Sequence, residues 1–128
     1  MILRPACALL LAVSLPMPAA EPLEYYDARK LATADEAGVK GAARAAMLAA
    51  QKALLDAGVV ECALGKPQDD FSAFTIVMRL DAQGRVQQTW REGGSPLAIC
   101  LQRYVRDKTV FVPPKAPFHT LLEISFTK

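Results

Sequence analysis

The chain has 128 residues, 52% of them hydrophobic, with 15 lysines and arginines against 13 aspartates and glutamates. That length permits one domain, the apolar share excludes a disordered polar tail, and the near balance of charge offers no hold to nucleic acid or an anionic membrane. One histidine in the whole chain excludes a multi-histidine metal site, and no motif asks for a metal or a cofactor.

Residues 1–20 read as an address. Met1 and Arg4 supply a short positive start, Ala6 to Leu15 an apolar run, and Pro16-Met17-Pro18-Ala19-Ala20 a break before Glu21. The run covers about half of the ~20 residues needed to span a bilayer, which marks a secretory signal peptide with an expected cut after Ala20 and no stable membrane insertion after the cut; the alternative is an uncleaved signal anchor. Cys7 leaves with it, so the exported chain keeps Cys62 and Cys100. Two cysteines in an oxidising compartment are expected to pair. The pair closes a loop of 38 residues (100 minus 62), worth about 3–4 kcal/mol in the chain-entropy model. Thiols so far apart lack the Cys-x-x-Cys spacing of redox sites, so the bond is structural.

Residues 21–32 have no clear period and read as an extended lead-in. Thr33-Ala34-Asp35-Glu36 then matches a capping box, and the spacing predicts a helix over 34–57 that holds ten alanines and stops at Gly58. Val39, Ala42, Ala43, Ala46, Ala50, Ala53, Leu54 and Ala57 form its small-residue face, suited to covering a sheet or to binding a partner. From Ala73 the period is two: Phe74, Ile76, Met78 and Leu80 describe a strand with one face buried. Asp81 to Gly84 is a turn, and Arg85 to Glu92 a return strand at a sheet edge, with Val86, Gln88 and Trp90 on one face. Ser95 and Pro96 start a helix as N-cap and first helical residue, with Leu97, Cys100, Leu101 and Tyr104 facing the core. Pro113, Pro114 and Pro117 interrupt the chain before a last strand over 119–127, where Leu122, Ile124 and Phe126 share a face. A long N-terminal helix followed by a β-β-α-β unit is an α+β fold, one domain over 33–128.

The order of local motifs in the second half carries a resemblance. Leu80-Asp81-Ala82-Gln83-Gly84-Arg85-Val86 fits an Asp-x-x-Gly-x-Val turn. Glu92-Gly93-Gly94-Ser95-Pro96 forms a Gly-rich break, and a short helix containing Cys100 leads to Phe111-Val112-Pro113-Pro114, a Phe-x-Pro-Pro signature. Residues 71–128 thus resemble the C-terminal domain of the TonB energy-transducer family and its cysteine-bearing periplasmic relatives. Cys62-Ala63-Leu64-Gly65-Lys66-Pro67 stands where that family commonly has Tyr-Pro, and the transducers' membrane anchor and Pro-rich spacer have no counterpart in this sequence. The expectation is therefore a domain cousin rather than a working transducer.

The resemblance implies a three-stranded antiparallel sheet with its first strand central and its last at an edge. It also implies a periplasmic, non-enzymatic module that binds a segment of an envelope or outer-membrane protein by strand addition. Carried over, the partner-binding residues are His119, Thr120, Leu121, Glu123, Ser125 and Thr127. Domains of this kind also swap strands, so a homodimer is a further expectation. The alternative is a small secreted enzyme, or an inhibitor of one. It would use His119, whose plainer reading is an exposed strand-start histidine, or Arg79, Arg85 and Arg91 as a basic stripe on one face of the hairpin. Asp69-Asp70 reads as a solvated turn, and no phosphate loop, Gly-x-Ser-x-Gly or His-Glu-x-x-His is present.

Overall fold

A computed structural model describes residues 23–126. The signal-peptide reading of residues 1–20 and the assignment of Thr127 lie outside them. The elements are α1 (Tyr25–Ala37), α2 (Gly41–Ala63), β1 (Phe74–Leu80), β2 (Val86–Glu92), α3 (Pro96–Val105) and β3 (Phe118–Ile124). The strands form one antiparallel sheet in the order β2-β1-β3. The fold is α+β.

The expected single helix over 34–57 is two helices, and the extended lead-in is largely the first of them. α1 begins at Tyr25, and its buried residues are only Ala28, Ala32 and Asp35. A stripe of two alanines and an acid carries almost no hydrophobic signal, which is why the period is invisible in the sequence. Thr33 is not an N-cap: it sits inside α1 and its hydroxyl donates back to the Arg29 carbonyl at 3.0 Å. The break falls at Gly38, Val39 and Lys40, where Lys40 is extended and Gly41 takes a φ of +58°. Gly38 and Gly41, bracketing Val39 and Lys40, make this the cheapest place to interrupt the helix.

Gly58 does not stop α2, which runs on to Ala63. A Cβ at Gly58 would lie 2.6 Å from Leu101 Cδ2 and 2.8 Å from Tyr104 Cδ1, so the missing side chain lets α2 approach α3. The buried face of α2 is Met47, Gln51, Leu54, Gly58 and Cys62, while Ala42, Ala43, Ala46, Ala53 and Ala57 are exposed. The bulkier side chains take the seam and turn the expected alanine face to solvent. Cys62 and Cys100 are disulfide-bonded with their Cα atoms 5.8 Å apart, fastening the end of α2 to the middle of α3.

Both faces of β1 are covered, not one. Phe74, Ile76, Met78 and Leu80 pack with Phe118, Leu122 and Ile124 of β3 beneath Met47, Leu54, Leu97, Leu101 and Val105 of α2 and α3. On the other face Val77 and Trp90 lie against Ala28 and Ala32 of α1. β2 carries a bulge: Arg79 pairs with Gln88 but Leu80 with Val86, leaving Gln87 as the extra residue. Val86 and Trp90 therefore join opposite cores, and Gln88 is exposed. The hairpin turn is as expected, with Gly84 at a φ of +86° and its N–H on the Asp81 carbonyl at 3.0 Å. The Ser95 hydroxyl caps α3 by accepting from the Ala98 N–H at 3.2 Å.

The two helix-to-helix fasteners on this side of the sheet are separable by mutation. Cys62→Ser with Cys100→Ser is expected to lower the unfolding free energy in urea by about 3–4 kcal/mol, the value for a loop of this length. Gly58→Ala is expected to cost about 1–3 kcal/mol by overpacking against Leu101, with the disulfide still formed.

Candidate partner-binding edge

β3 borders the sheet, but its outer edge is not bare. The last turn of α1 carries Asp35 and Glu36, and both carboxylates reach it. Asp35 Oδ2 accepts from the His119 N–H at 2.9 Å, and Glu36 Oε2 accepts from the Leu121 N–H at 2.9 Å. Glu36 Oε2 also accepts from the Thr120 hydroxyl at 2.9 Å, and Gln51 of α2 donates its amide to the same hydroxyl. Lys115 Nζ lies 2.7 Å from Asp35 Oδ1, and Arg29 binds the exposed Glu123 at 2.7 Å.

Acidic residues in the last turn oppose the helix dipole, and α1 has no basic residue there. The opposition is offset from outside the helix, by the strand N–H groups, by Lys115, and by Arg44, whose guanidinium donates to the Glu36 carbonyl at 3.0 Å. Helix and strand thus exchange side chain for backbone where a fourth strand would otherwise pair.

His119 is buried at 5% exposure, contrary to the expectation of an exposed strand-start histidine, because α1 covers its face of the sheet. Its ring lies 5.8 Å from that of Trp90 and its Nδ1 is 3.7 Å from Asp35 Oδ2, too far for a hydrogen bond. His119 is also the cross-strand partner of Arg79. Among the described residues His119 Nε2 and Arg79 Nε are buried without a hydrogen-bond partner. Burial holds the His119 pKa below its ordinary value; Asp35 pulls it up, whereas Arg79 and Lys115 push it down further.

The arginine stripe does not form. Arg79 lies on the α1 side with His119. Arg91, in register with Ile76, reaches Gln102 of α3 on the other side, and Arg85 is in the turn, 3.5 Å from Asp107. The bulge and the alternation of β2 separate the three. Asp70 is a turn residue, accepting from the Ser72 N–H and hydroxyl, and these bonds lower its pKa.

Of the six expected edge residues, His119 and Thr120 are buried, Leu121 is half-buried, and Glu123 and Ser125 are exposed; the expected strand over 119–127 ends at Ile124, so Ser125 follows it and Phe126 is exposed rather than on the core face. The covered part of the edge is thus 119–121 and the open part begins at Glu123. A cleft of about 330 Å³ lies between them, lined by Arg29, Thr33, Glu36, Ala37, Arg44, Leu121 and Glu123. Asp35 and Glu36 were invisible as edge residues because nothing local distinguishes them from a helix-capping acid pair. Among the described residues no helix is long and apolar enough to cross a membrane, and no group of three His, Cys, Asp or Glu is placed to hold a metal ion. No protein-family model matches the chain, and the comparisons with curated proteins and with solved structures found no match.

The histidine makes stability depend on pH in a definite direction. Its folded pKa is depressed, so the folded state disfavours the proton and the unfolded state takes it up first. The stability is full above the unfolded value of ~6.5 and declines as pH falls through it toward the folded value. Urea unfolding at pH 7.5 and pH 5.5 is expected to show that loss, and His119→Gln to remove the histidine's share of it. Asp35→Ala is expected to cost about 1–3 kcal/mol by leaving the buried His119 N–H unpaired, read in the same titration.

Proposed function

We propose that this chain is a non-enzymatic interaction module of the cell envelope, exported to the periplasm, that takes up an extended segment of an envelope or outer-membrane protein by strand addition at β3. The observation that supports this reading is the manner in which the outer edge of β3 is occupied. Asp35 and Glu36 satisfy the N–H groups of His119 and Leu121, but a carboxylate brings no donor for the carbonyls beside them. A peptide backbone brings both donor and acceptor and matches the row more fully.

The resemblance of residues 71–128 to the TonB C-terminal domain supports the same reading, as does the sheet order β2-β1-β3, with the last strand at an edge. In this scheme α1 is the resident occupant of the edge. The incoming segment pairs first with the open end at Glu123 and Ser125, then replaces the carboxylates. The α1 end gives way at the break between Gly38 and Gly41.

The test pairs two substitutions with opposite effects. Glu123→Pro removes an N–H that points away from β1 and leaves the internal ladder intact. Glu36→Gln weakens the hold of α1 on the edge. Proteins captured from an envelope extract are narrowed to a synthetic peptide. That peptide is expected to shift the amide resonances of residues 119–125, to bind Glu123→Pro at least tenfold more weakly, and to bind Glu36→Gln several-fold more tightly. A peptide that leaves those amides unmoved, or binds folded Glu123→Pro unchanged, overturns the reading.

A further inference from the structure

The sheet has a second edge, and its outward groups follow from the first. The N–H groups of His119 and Leu121 point away from β1, so Arg79 and Val77 opposite them direct their backbone toward β2. Gln88 and Trp90 pair inward with these two, and Thr89 and Arg91 therefore face outward. Lys108 closes the start of this edge, its carbonyl accepting from the Val86 N–H at 2.9 Å. Among the described residues nothing closes Thr89 or Arg91 in the same way. No proline lies in β2, and the bulge at Gln87 confines the open row to residues 88–92.

From this row we infer that β2 is a self-association edge, and that its occupant is β2 of a second copy of this chain, antiparallel about a two-fold axis at Trp90. The pattern of side chains selects both occupant and register. With the axis at Trp90, Thr89 stands opposite Arg91 of the second copy and Arg91 opposite Thr89. Each pair exchanges both backbone hydrogen bonds. Gln88 meets Glu92 of the second copy, and the two Trp90 side chains face each other. No like charges are opposed.

Moving the axis to Arg91 sets two guanidiniums directly opposite, which is unfavourable. Moving it to Thr89 pairs Arg91 with Gln87, the bulge residue that stands outside the ladder. Gln102 of α3 steadies the edge by binding the side chains of both Thr89 and Arg91, and the Trp90 indole donates to the Leu23 carbonyl at 2.8 Å. So short an overlap buries less than a standard interface, and the dimer is accordingly weak and populated at high concentration.

Paired cysteines read this register directly. Gln88 and Glu92 are exposed, and in the proposed dimer they form a non-hydrogen-bonded pair with Cα atoms about 4.5 Å apart, within disulfide reach. Within one chain they are separated by roughly 13 Å of extended strand, so they cannot close on each other. Gln88→Cys with Glu92→Cys, purified with the native disulfide intact and mildly oxidised, is expected to yield a covalent dimer on a non-reducing gel. Each single variant is expected to yield less than a tenth as much.

Thr89→Pro removes an outward N–H without touching the ladder to β1. In sedimentation equilibrium it is expected to weaken the self-association of the unmodified chain at least tenfold, with the far-ultraviolet circular dichroism unchanged. A chain that stays monomeric at millimolar concentration, a double variant that cross-links no better than the singles, or a dimer undiminished in folded Thr89→Pro overturns the inference. The last result would move the contact to another face, such as the exposed alanines of α2.

Discussion

Two carboxylates at the end of α1 hold this structure in its arrangement. Asp35 and Glu36 bind the His119 and Leu121 amides, and hydrogen bonds to a charged group are worth roughly 1.5–3 kcal/mol each. Without them α1 offers the sheet Ala28, Ala32 and the half-buried Tyr25, a small apolar stripe on which to dock a helix. Once α1 is docked, Val77 and Trp90 are covered, His119 is buried, and β1 becomes a strand with two dry faces. The polar contact therefore precedes the second hydrophobic core in the logic of the fold.

The opposite face is held by different means. α2 and α3 close over Phe74, Ile76, Met78 and Leu80 with a conventional apolar core, brought tight by the absent side chain at Gly58 and fastened by Cys62–Cys100. One side of the sheet thus has a covalent staple and large side chains, the other a helix held largely by its acidic end. Their responses differ accordingly. The α2–α3 side depends on the redox state, whereas the α1 side depends on the ion pair of Lys115 with Asp35, which salt screens, and on His119, whose pKa burial lowers.

That asymmetry gives the two sheet edges different characters. The N–H groups of His119 and Leu121 on β3 are satisfied by side chains from its own chain, an arrangement that protects an edge strand. β2 is limited at one end by a bulge and the Lys108 carbonyl, which shortens the available row and tightens the register that any added strand must adopt.

The sequence by itself determined the local elements of the second half of the chain. The two-residue period of β1, the Asp81–Gly84 turn, the Ser95–Pro96 helix start and the pairing of Cys62 with Cys100 are local or compositional signals, and each stands in the structure. Helix boundaries in the first half were decided by tertiary contacts. Ala28, Ala32 and Asp35 become a buried face only because a sheet lies beneath them, and Gly58 continues a helix because α3 packs against it. The separation of Arg79, Arg85 and Arg91 depended on a single bulge residue, which a period of two cannot register. The covering of β3 rested on carboxylates 84 and 85 residues distant in sequence from the amides they bind. Such a bond is legible only when the folded chain brings them together, because an acid at the end of a helix carries no mark of the strand it will reach.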